Sequence, residues 1–152
     1  MISYGVHKIP ENIMKNLKGR IWNVHGGLSP WYRGVATHFW PSYMLEPEYT
    51  GMTLHETTSD IDGGNIIHQS ISELNINDGI HQNACRTVKS FSDELPNILY
   101  KNIKRKKKLI GIKSKTHGRI WTSRMWSPIH LKMVYKIYED KIKSNLIDIK
   151  ED

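Results

Sequence analysis

The sequence predicts an α/β domain with a mostly parallel sheet flanked by helices. Segments rich in β-branched and aromatic residues alternate along the chain with segments whose apolar residues recur at helical spacing. The 152 residues are 38% hydrophobic and 24% charged, which is typical of a folded chain and unlike a disordered one. We therefore expect residues 1–152 to form one domain with its own core.

The predicted elements begin with a short apolar strand at Met1–Tyr4. Pro10 then opens a helix, because proline suits the first helical position. A second strand follows at Arg20–His25. Side chains alternate along a strand, so Asn23 and His25 lie on the same face.

The central part of the chain begins with a loop at residues 26–30, where two glycines and a proline prevent regular structure. A short helix is expected at Val35–Leu45, interrupted by Pro41. Two strands at Gly51–Thr57 and Gly64–Ile71 are rich in β-forming residues. An Asp-Gly-Gly turn separates these two strands.

The last part of the chain carries two helical patterns. Asp78–Tyr100 predicts one long helix, or two helices if Pro96 breaks it. Short strands are expected at Leu109–Ile112 and Arg119–Thr122. The apolar spacing of Pro128–Leu146 predicts a final helix.

Several classes of protein are disfavoured. Cys85 is the single cysteine, so no internal disulfide forms and a reducing, cytoplasmic location is expected. No apolar run approaches the roughly 20 residues that span a bilayer, so no membrane association is expected. The eight histidines show no metal-ligand spacing, and His55-Glu56 continues as Thr-Thr-Ser rather than as a zinc motif. We therefore expect no metal.

Three polar features are candidates for chemistry. Asn23 and His25 end a predicted strand, and ligands of open α/β sheets bind beyond the carboxyl ends of strands. Asp60 and Asp62 lie on the tight turn, and the segment Ser29–Pro41 is placed to wall a pocket. An amide, an imidazole and a carboxylate together polarise a carbonyl and move a proton. From these residues alone, structural roles for the histidine and the turn remain an alternative.

Three ordered motifs resemble a known family. The run N-V-H-G-G-L-S-P-W-Y-R-G, then T-G-M-T-L-H, then D-I-D-G-G-N-I-I-H-Q is similar to the catalytic core of the folate-dependent formyltransferases. The resemblance covers about residues 1–72, and the family includes phosphoribosylglycinamide, methionyl-tRNA and sugar-nucleotide N-formyltransferases. It implies a Rossmann-like formyltransferase fold and transfer of a formyl group from 10-formyltetrahydrofolate to a primary amine. The acceptor would be a small phosphorylated molecule or a sugar nucleotide.

The resemblance also implies roles for individual residues. Asn23, His25 and Asp62 fall on the family's catalytic triad. Asn23 and protonated His25 would stabilise the oxyanion, while Asp62 would orient His25 and assist proton transfer. A second group of residues would bind the folate: Lys8, Ile9, Pro10, Thr58, Ser59 and Asp60. No metal is implied.

Two departures from the family pattern shape our expectations. Gly26-Gly27 replace the usual Pro-Ser after the histidine, which predicts a looser loop. Family members also carry further strands and helices ahead of the stretch that matches Ile2–Pro10, so the resemblance implies a fold lacking its N-terminal strands. A second chain or a homo-oligomer would then cover the missing half. The alternative is a catalytically inactive truncated remnant.

The charge is concentrated in one segment. Residues 1–100 carry 7 basic and 10 acidic side chains, whereas residues 101–124 carry 10 basic and no acidic ones. This basic segment is either a solvated helix end and loop, or an anion site for RNA, a phosphorylated acceptor or the glutamate tail of folate. A small basic RNA-binding protein is thus a further alternative. The absence of a region resembling the tRNA-binding barrel of methionyl-tRNA formyltransferases argues against a nucleic-acid partner.

Overall fold

The computed structural model describes residues 1–71, 73–75, 77–104, 109–115 and 117–138. Strands and α-helices alternate within these ranges except at two places, where one strand directly follows another. The strands are β1 (Ile2–Tyr4), β2 (Trp22–His25), β3 (Tyr32–Gly34), β4 (Gly51–Glu56), β5 (Ile66–Ile71) and β6 (Arg119–Trp121). The α-helices are α1 (Glu11–Asn16), α2 (Trp40–Tyr43), α3 (Ile80–Lys104) and α4 (Pro128–Tyr138). Single 3-10 turns lie at Pro47–Tyr49 and Ser123–Met125.

The main sheet has the strand order β1-β2-β4-β5 and is mixed. β1 runs parallel to β2, whereas β4 is antiparallel to both β2 and β5. The α/β prediction is confirmed, but the expectation of a mostly parallel sheet is corrected. The segment between β4 and β5 contains no helix, and so short a connection favours a return antiparallel to β4 over a parallel crossover.

The core lies between this sheet and α3. Its buried side chains come from alternate positions of β2 and β4 and from the middle of α3, and they are Trp22, Val24, Met52, Leu54 and Phe91. The helix continues through Pro96 without a break. Packing of Leu95 and Leu99 on either side of the proline against the core offsets the backbone hydrogen bond that proline cannot make.

A second, two-stranded sheet consists of β3 and β6, which run parallel. It is covered by stacked aromatic rings. Trp121 stacks on Trp40 with ring centroids 4.2 Å apart, and on Tyr32 at 6.3 Å. This aromatic cluster is buried and gives the short ribbon its stability.

Several predicted boundaries change. Pro41 lies at the start of α2 instead of interrupting a longer helix, as expected for proline in a first turn. Residues 109–112 do not form a strand, since only Ile112 makes a bridge, to Ile66. β3 was not predicted. Residues 139–146 of the final predicted helix, and residues 105–108 and 116 of the basic segment, lie outside the described residues.

No helix in the described ranges combines the length and the apolar character needed to cross a bilayer.

Candidate active site

Polar side chains meet on the face of β2 and β4 that turns away from α3. In the antiparallel register, Asn23 lies opposite His55, and His25 lies opposite Thr53. Because side chains alternate along each strand, all four project to the same side of the sheet. His25 and His55 are almost fully buried there.

Asp62 reaches this cluster from the loop between β4 and β5. Its Oδ2 accepts the backbone N–H of Gly34 at 2.9 Å and lies 3.3 Å from His25 Nδ1. Its Oδ1 lies 3.4 Å from both His55 Nε2 and Asn23 Nδ2. The structure thus brings the three predicted catalytic residues together around one carboxylate and adds a second histidine.

The loop holds Asp62 in an uncommon backbone conformation. Its φ is +45°, in the left-handed region that non-glycine residues seldom occupy. Two side chains fix the loop from below: Ser29 Oγ donates to the Asp62 carbonyl at 3.1 Å, and Arg33 Nε donates to the Ile61 carbonyl at 2.7 Å. The backbone geometry is therefore set by the surrounding structure and keeps the carboxylate between the two histidines.

The contacts of His25 define which ring nitrogen exchanges a proton. Nε2 lies 2.8 Å from the Tyr32 carbonyl, and a carbonyl only accepts, so Nε2 carries hydrogen. Nδ1 is left facing Asp62. Burial lowers the pKa of His25 below its ordinary value, and the charge of Asp62 opposes that shift. The neutral ring therefore carries its hydrogen on Nε2 and binds a second proton at Nδ1, beside the carboxylate.

Asp62 is ionised in this setting. Burial raises its pKa, but the hydrogen bond from His55, the charge of His25 and the Gly34 N–H outweigh burial and leave the pKa lowered. The carboxylate is therefore available as a proton acceptor and as a counter-charge for an imidazolium.

His55 orients the amide of Asn23. Its Nδ1 lies 2.8 Å from the Glu56 carbonyl, which only accepts, so Nδ1 carries a hydrogen. Its Nε2 lies between the amide and the carboxylate, 3.3 Å from Asn23 Nδ2 and 3.4 Å from Asp62 Oδ1. Ser3 Oγ donates to Asn23 Oδ1 at 2.9 Å, which fixes the other end of the amide. His55 was not among the predicted site residues, although it belongs to the T-G-M-T-L-H motif. Pairing β2 with β4 in the antiparallel register would have identified His55, because it lies opposite Asn23.

The loop after His25 is tighter than predicted. A Cβ atom on Gly27 would lie 2.7 Å from His25 Nε2, from Thr37 Cβ and from the Tyr32 carbonyl oxygen. The expectation that Gly26-Gly27 loosen the loop is therefore wrong at Gly27, where glycine permits close packing against the histidine.

A cleft of about 530 Å³ opens beside the end of β1, and its lining includes Asn23, His25, His55 and Asp62. Four of the predicted folate residues also line it: Lys8, Ile9, Thr58 and Asp60. The other two, Pro10 and Ser59, adjoin the cleft in sequence without lining it. No cluster of three or more His, Cys, Asp or Glu side chains suited to a metal ion occurs in the ranges that the structure describes.

Comparison with known proteins agrees with the family resemblance of the sequence motifs. A sequence profile of the Formyl transferase family matches residues 4–99. The formyltransferase PseJ from Anoxybacillus kamchatkensis, solved with UDP-4,6-dideoxy-4-formamido-L-AltNAc and tetrahydrofolate, superposes with a TM-score of 0.69 at 24% identity over 95% of this chain. A 4-N formyltransferase from Francisella tularensis superposes at 0.63, with 23% identity over 81% of the chain.

A third solved structure is the N-formyltransferase from Helicobacter canadensis, in complex with folinic acid and dTDP-3-aminofucose. It superposes with a TM-score of 0.52 and 26% identity over 70% of this chain. The present chain spans 74% of the Anoxybacillus chain, 49% of the Francisella chain and 39% of the Helicobacter chain. These likenesses show a common fold, and the profile match covers more than half of the sequence. The chain belongs to the formyl transferase family.

Proposed function

We propose that this protein, as one formyltransferase-type domain, transfers a formyl group from 10-formyltetrahydrofolate to a primary amine. The supporting observation is the meeting of Asn23, His25 and Asp62 at the wall of one cleft in a chain of the formyl transferase family. In the reaction, the acceptor nitrogen bonds to the formyl carbon and the bond from that carbon to the folate nitrogen breaks. One proton leaves the acceptor nitrogen and one reaches the folate nitrogen.

Two hydrogen-bond donors stabilise the negative charge that develops on the formyl oxygen. These are the Asn23 amide and the His25 ring, which is neutral at rest and donates from Nδ1 once it has bound a second proton there. Such donors typically contribute about 10²–10³-fold to kcat. At rest, Asn23 Nδ2 lies near His55 and Asp62, and His25 Nδ1 faces Asp62. The formyl oxygen would compete for these donors, as catalytic hydrogen bonds often reach their final geometry only with substrate bound.

Asp62 has two tasks in this proposal. Its carboxylate stabilises the charge on His25, from which it lies 3.3 Å. It also accepts, through water, the proton that the attacking amine loses. The lowered pKa of Asp62 keeps the carboxylate ionised for both tasks.

The donor binds along the part of the cleft formed by Lys8, Ile9 and the loop that carries Thr58 and Asp60, with Pro10 and Ser59 adjoining. Residues 6–9 form neither helix nor strand, so their backbone groups can pair with the polar edge of a pterin ring. The residues present therefore fit a pterin, with apolar contact from Ile9 and a cation from Lys8.

The acceptor class that we propose is an amino sugar linked to a nucleotide. The solved structures from Anoxybacillus and Helicobacter, which hold a UDP-linked formamido sugar and dTDP-3-aminofucose, support this choice. A small phosphorylated amine such as phosphoribosylglycinamide is the other acceptor to test.

The test is turnover of 10-formyltetrahydrofolate with a panel of amino-sugar nucleotides and phosphoribosylglycinamide, followed by release of tetrahydrofolate. We expect turnover with at least one amine, and His25→Ala to lower kcat/KM by at least about 10²-fold. His81→Ala is the matched control, because His81 is an exposed histidine of α3 that contacts Tyr135. Absence of turnover with every amine would overturn the proposal, as would equal rates for His25→Ala and the wild type.

We also propose that a second chain or a second copy covers β1. β1 is an edge strand, and Met1 and Ile2 are 52% and 39% exposed. Sedimentation velocity should show an assembled species that Ile2→Lys converts to a monomer. A wild-type protein that turns over as a monomer would contradict this proposal.

A further inference from the structure

Strand β3 holds the catalytic group through three consecutive residues. The Tyr32 carbonyl accepts from His25 Nε2 at 2.8 Å, and the Gly34 N–H donates to Asp62 Oδ2 at 2.9 Å. Between them, Arg33 Nε donates to the carbonyl just before Asp62 at 2.7 Å. A shift of this one strand would therefore move the partners of the histidine and of the aspartate together.

β3 owes its position to a distant part of the chain. It pairs in parallel with β6, and the Val35 N–H donates to the Trp121 carbonyl at 2.8 Å. Gly34 has a φ of +97°, and a Cβ there would lie 2.1 Å from the Trp121 carbonyl oxygen, so the two backbones are in close contact. The family profile ends at residue 99, so β6 lies beyond the matched region.

Trp121 fixes this pairing through the contacts of its indole ring. It stacks on Trp40 with ring centroids 4.2 Å apart and on Tyr32 with centroids 6.3 Å apart, where the two ring planes are within 5° of parallel. The Arg119 guanidinium also lies over the ring at 4.2 Å. The side chain is 5% exposed, and its Nε1 has no hydrogen-bond partner among the described residues. The indole thus acts through its ring contacts and not through a hydrogen bond.

We propose that Trp121 is a positioning residue for the His25–Asp62 pair, acting through β3. This inference rests on the proposed formyl transfer, for which that pair supplies the proton chemistry. With the indole in place, β3 presents the Tyr32 carbonyl and the Gly34 N–H at fixed points. Without it, the ribbon separates from the aromatic cluster, and the ring of His25 and the carboxylate of Asp62 lose their backbone partners together.

The experiment compares Trp121→Leu, Trp121→Phe and Trp126→Ala in the full chain. Trp121→Leu keeps an apolar side chain without flat faces, whereas Trp121→Phe keeps a flat ring and loses no hydrogen bond. Trp126 is the control, because it belongs to the same part of the chain but, among the aromatic rings that the structure describes, contacts Phe39 alone, and it is 37% exposed. Two quantities are measured: kcat against KM for formyl transfer, and the titration of the His25 ring by NMR.

We expect Trp121→Leu to lower kcat by about 10-fold or more with KM changed far less, since small misplacements of catalytic groups are costly. The pKa of His25 should rise towards 6.5, because the burial that lowers it is relaxed. Trp121→Phe should recover most of the rate and the wild-type titration, and Trp126→Ala should match the wild type in both.

Two results would overturn the inference. One is a folded Trp121→Leu protein with unchanged kcat and an unchanged His25 titration. The other is an equal effect of Trp126→Ala, which would indicate a general loss of packing. The NMR titration needs no substrate. A wild type without turnover whose His25 titration still responds to Trp121→Leu would refute formyl transfer while supporting the coupling of Trp121 to the site.

Discussion

The two faces of β2 and β4 are both largely buried but differ in chemistry. One face presents Trp22, Val24, Met52 and Leu54 to α3. The other presents Asn23, His25, Thr53 and His55, and all of these except Thr53 line the cleft. Leu54 is 0% exposed and its neighbour His55 is 3% exposed, so burial alone does not separate core from site.

The two faces differ in what makes their burial favourable or tolerable in free energy. The apolar face gains roughly 25 cal/mol for each Å² that it buries. The polar face loses hydration and is tolerated because its groups bind one another and the backbone, as His55 does with Asn23, Asp62 and Glu56. Because side chains alternate along a strand, each core residue is the chain neighbour of a residue on the polar face. Neighbouring substitutions should therefore separate stability from activity.

The largest effect is expected on the apolar face. Leu54→Ala removes a fully buried side chain and should lower the free energy of unfolding by about 2–5 kcal/mol, measured by urea denaturation. Ile71→Ala is the control in the same sheet, because Ile71 is 58% exposed, and it should cost much less. A loss from Leu54→Ala no greater than that of the control would show that this face does not carry the stability.

At the loop residue that contacts the polar face, Asp62→Asn should lower the rate more than the stability. The amide matches the carboxylate in size but can neither accept the proton nor balance a charged His25, so kcat should fall by about 10²-fold or more. Asp93→Asn is the control, because Asp93 lies on the exposed side of α3 and forms an exposed ion pair with Lys89. The comparison of faces fails if Asp62→Asn lowers the free energy of unfolding as much as Leu54→Ala does while kcat is retained.

The polar face should also make stability depend on pH. Burial lowers the pKa of His25 from 6.5, so below that pH the unfolded chain binds more protons than the folded one, and stability falls as the pH falls towards the folded pKa. His25→Gln should flatten this slope by at most about 1.4 kcal/mol per pH unit. His38, whose pKa burial lowers in the same direction, contributes to the same window and remains in both proteins.

The measurement is urea unfolding across the range below pH 6.5, in the wild type and His25→Gln. Asp62 contributes separately at lower pH. Its pKa is lowered from 3.8, so its stabilisation is present above that value and is lost as the pH falls through the folded pKa. Identical slopes for the two proteins below pH 6.5 would mean that His25 is not buried in neutral form.

The strands that carry both faces were predictable because they alternate over several residues, as in Gly51–Glu56. β3 was not, because Tyr-Arg-Gly is too short to alternate and its partner, β6, lies far along the chain. At Pro96 the local signal was present, but the structure does not follow it. A residue that breaks helices locally lies inside α3, since packing of the helix on the sheet outweighs it.

The site was predictable to the extent that it follows from motifs. Asn23, His25 and Asp62 came from such motifs and meet in one cleft. His55 was missed because its place opposite Asn23 depends on antiparallel pairing of β2 and β4, whereas a mostly parallel sheet was expected. The backbone partners of the site, the Tyr32 carbonyl and the Gly34 N–H, belong to the unpredicted strand. Nearly every residue type has the same backbone N–H and C=O groups, so the sequence does not indicate which of them contact the site.

The smallest effect is expected where the site depends on a backbone atom alone. Tyr32→Phe removes the hydroxyl that donates to Glu46 at 2.5 Å but keeps the carbonyl that accepts from His25. The free energy of unfolding should fall by about 1 kcal/mol, with kcat within about twofold of the wild type. Glu46→Gln should change stability to a similar extent, and the double variant should lose less than the sum of the two, because both remove one hydrogen bond. A fall in kcat of about tenfold in Tyr32→Phe would instead mean that the hydroxyl, and not only the strand, holds the histidine in place.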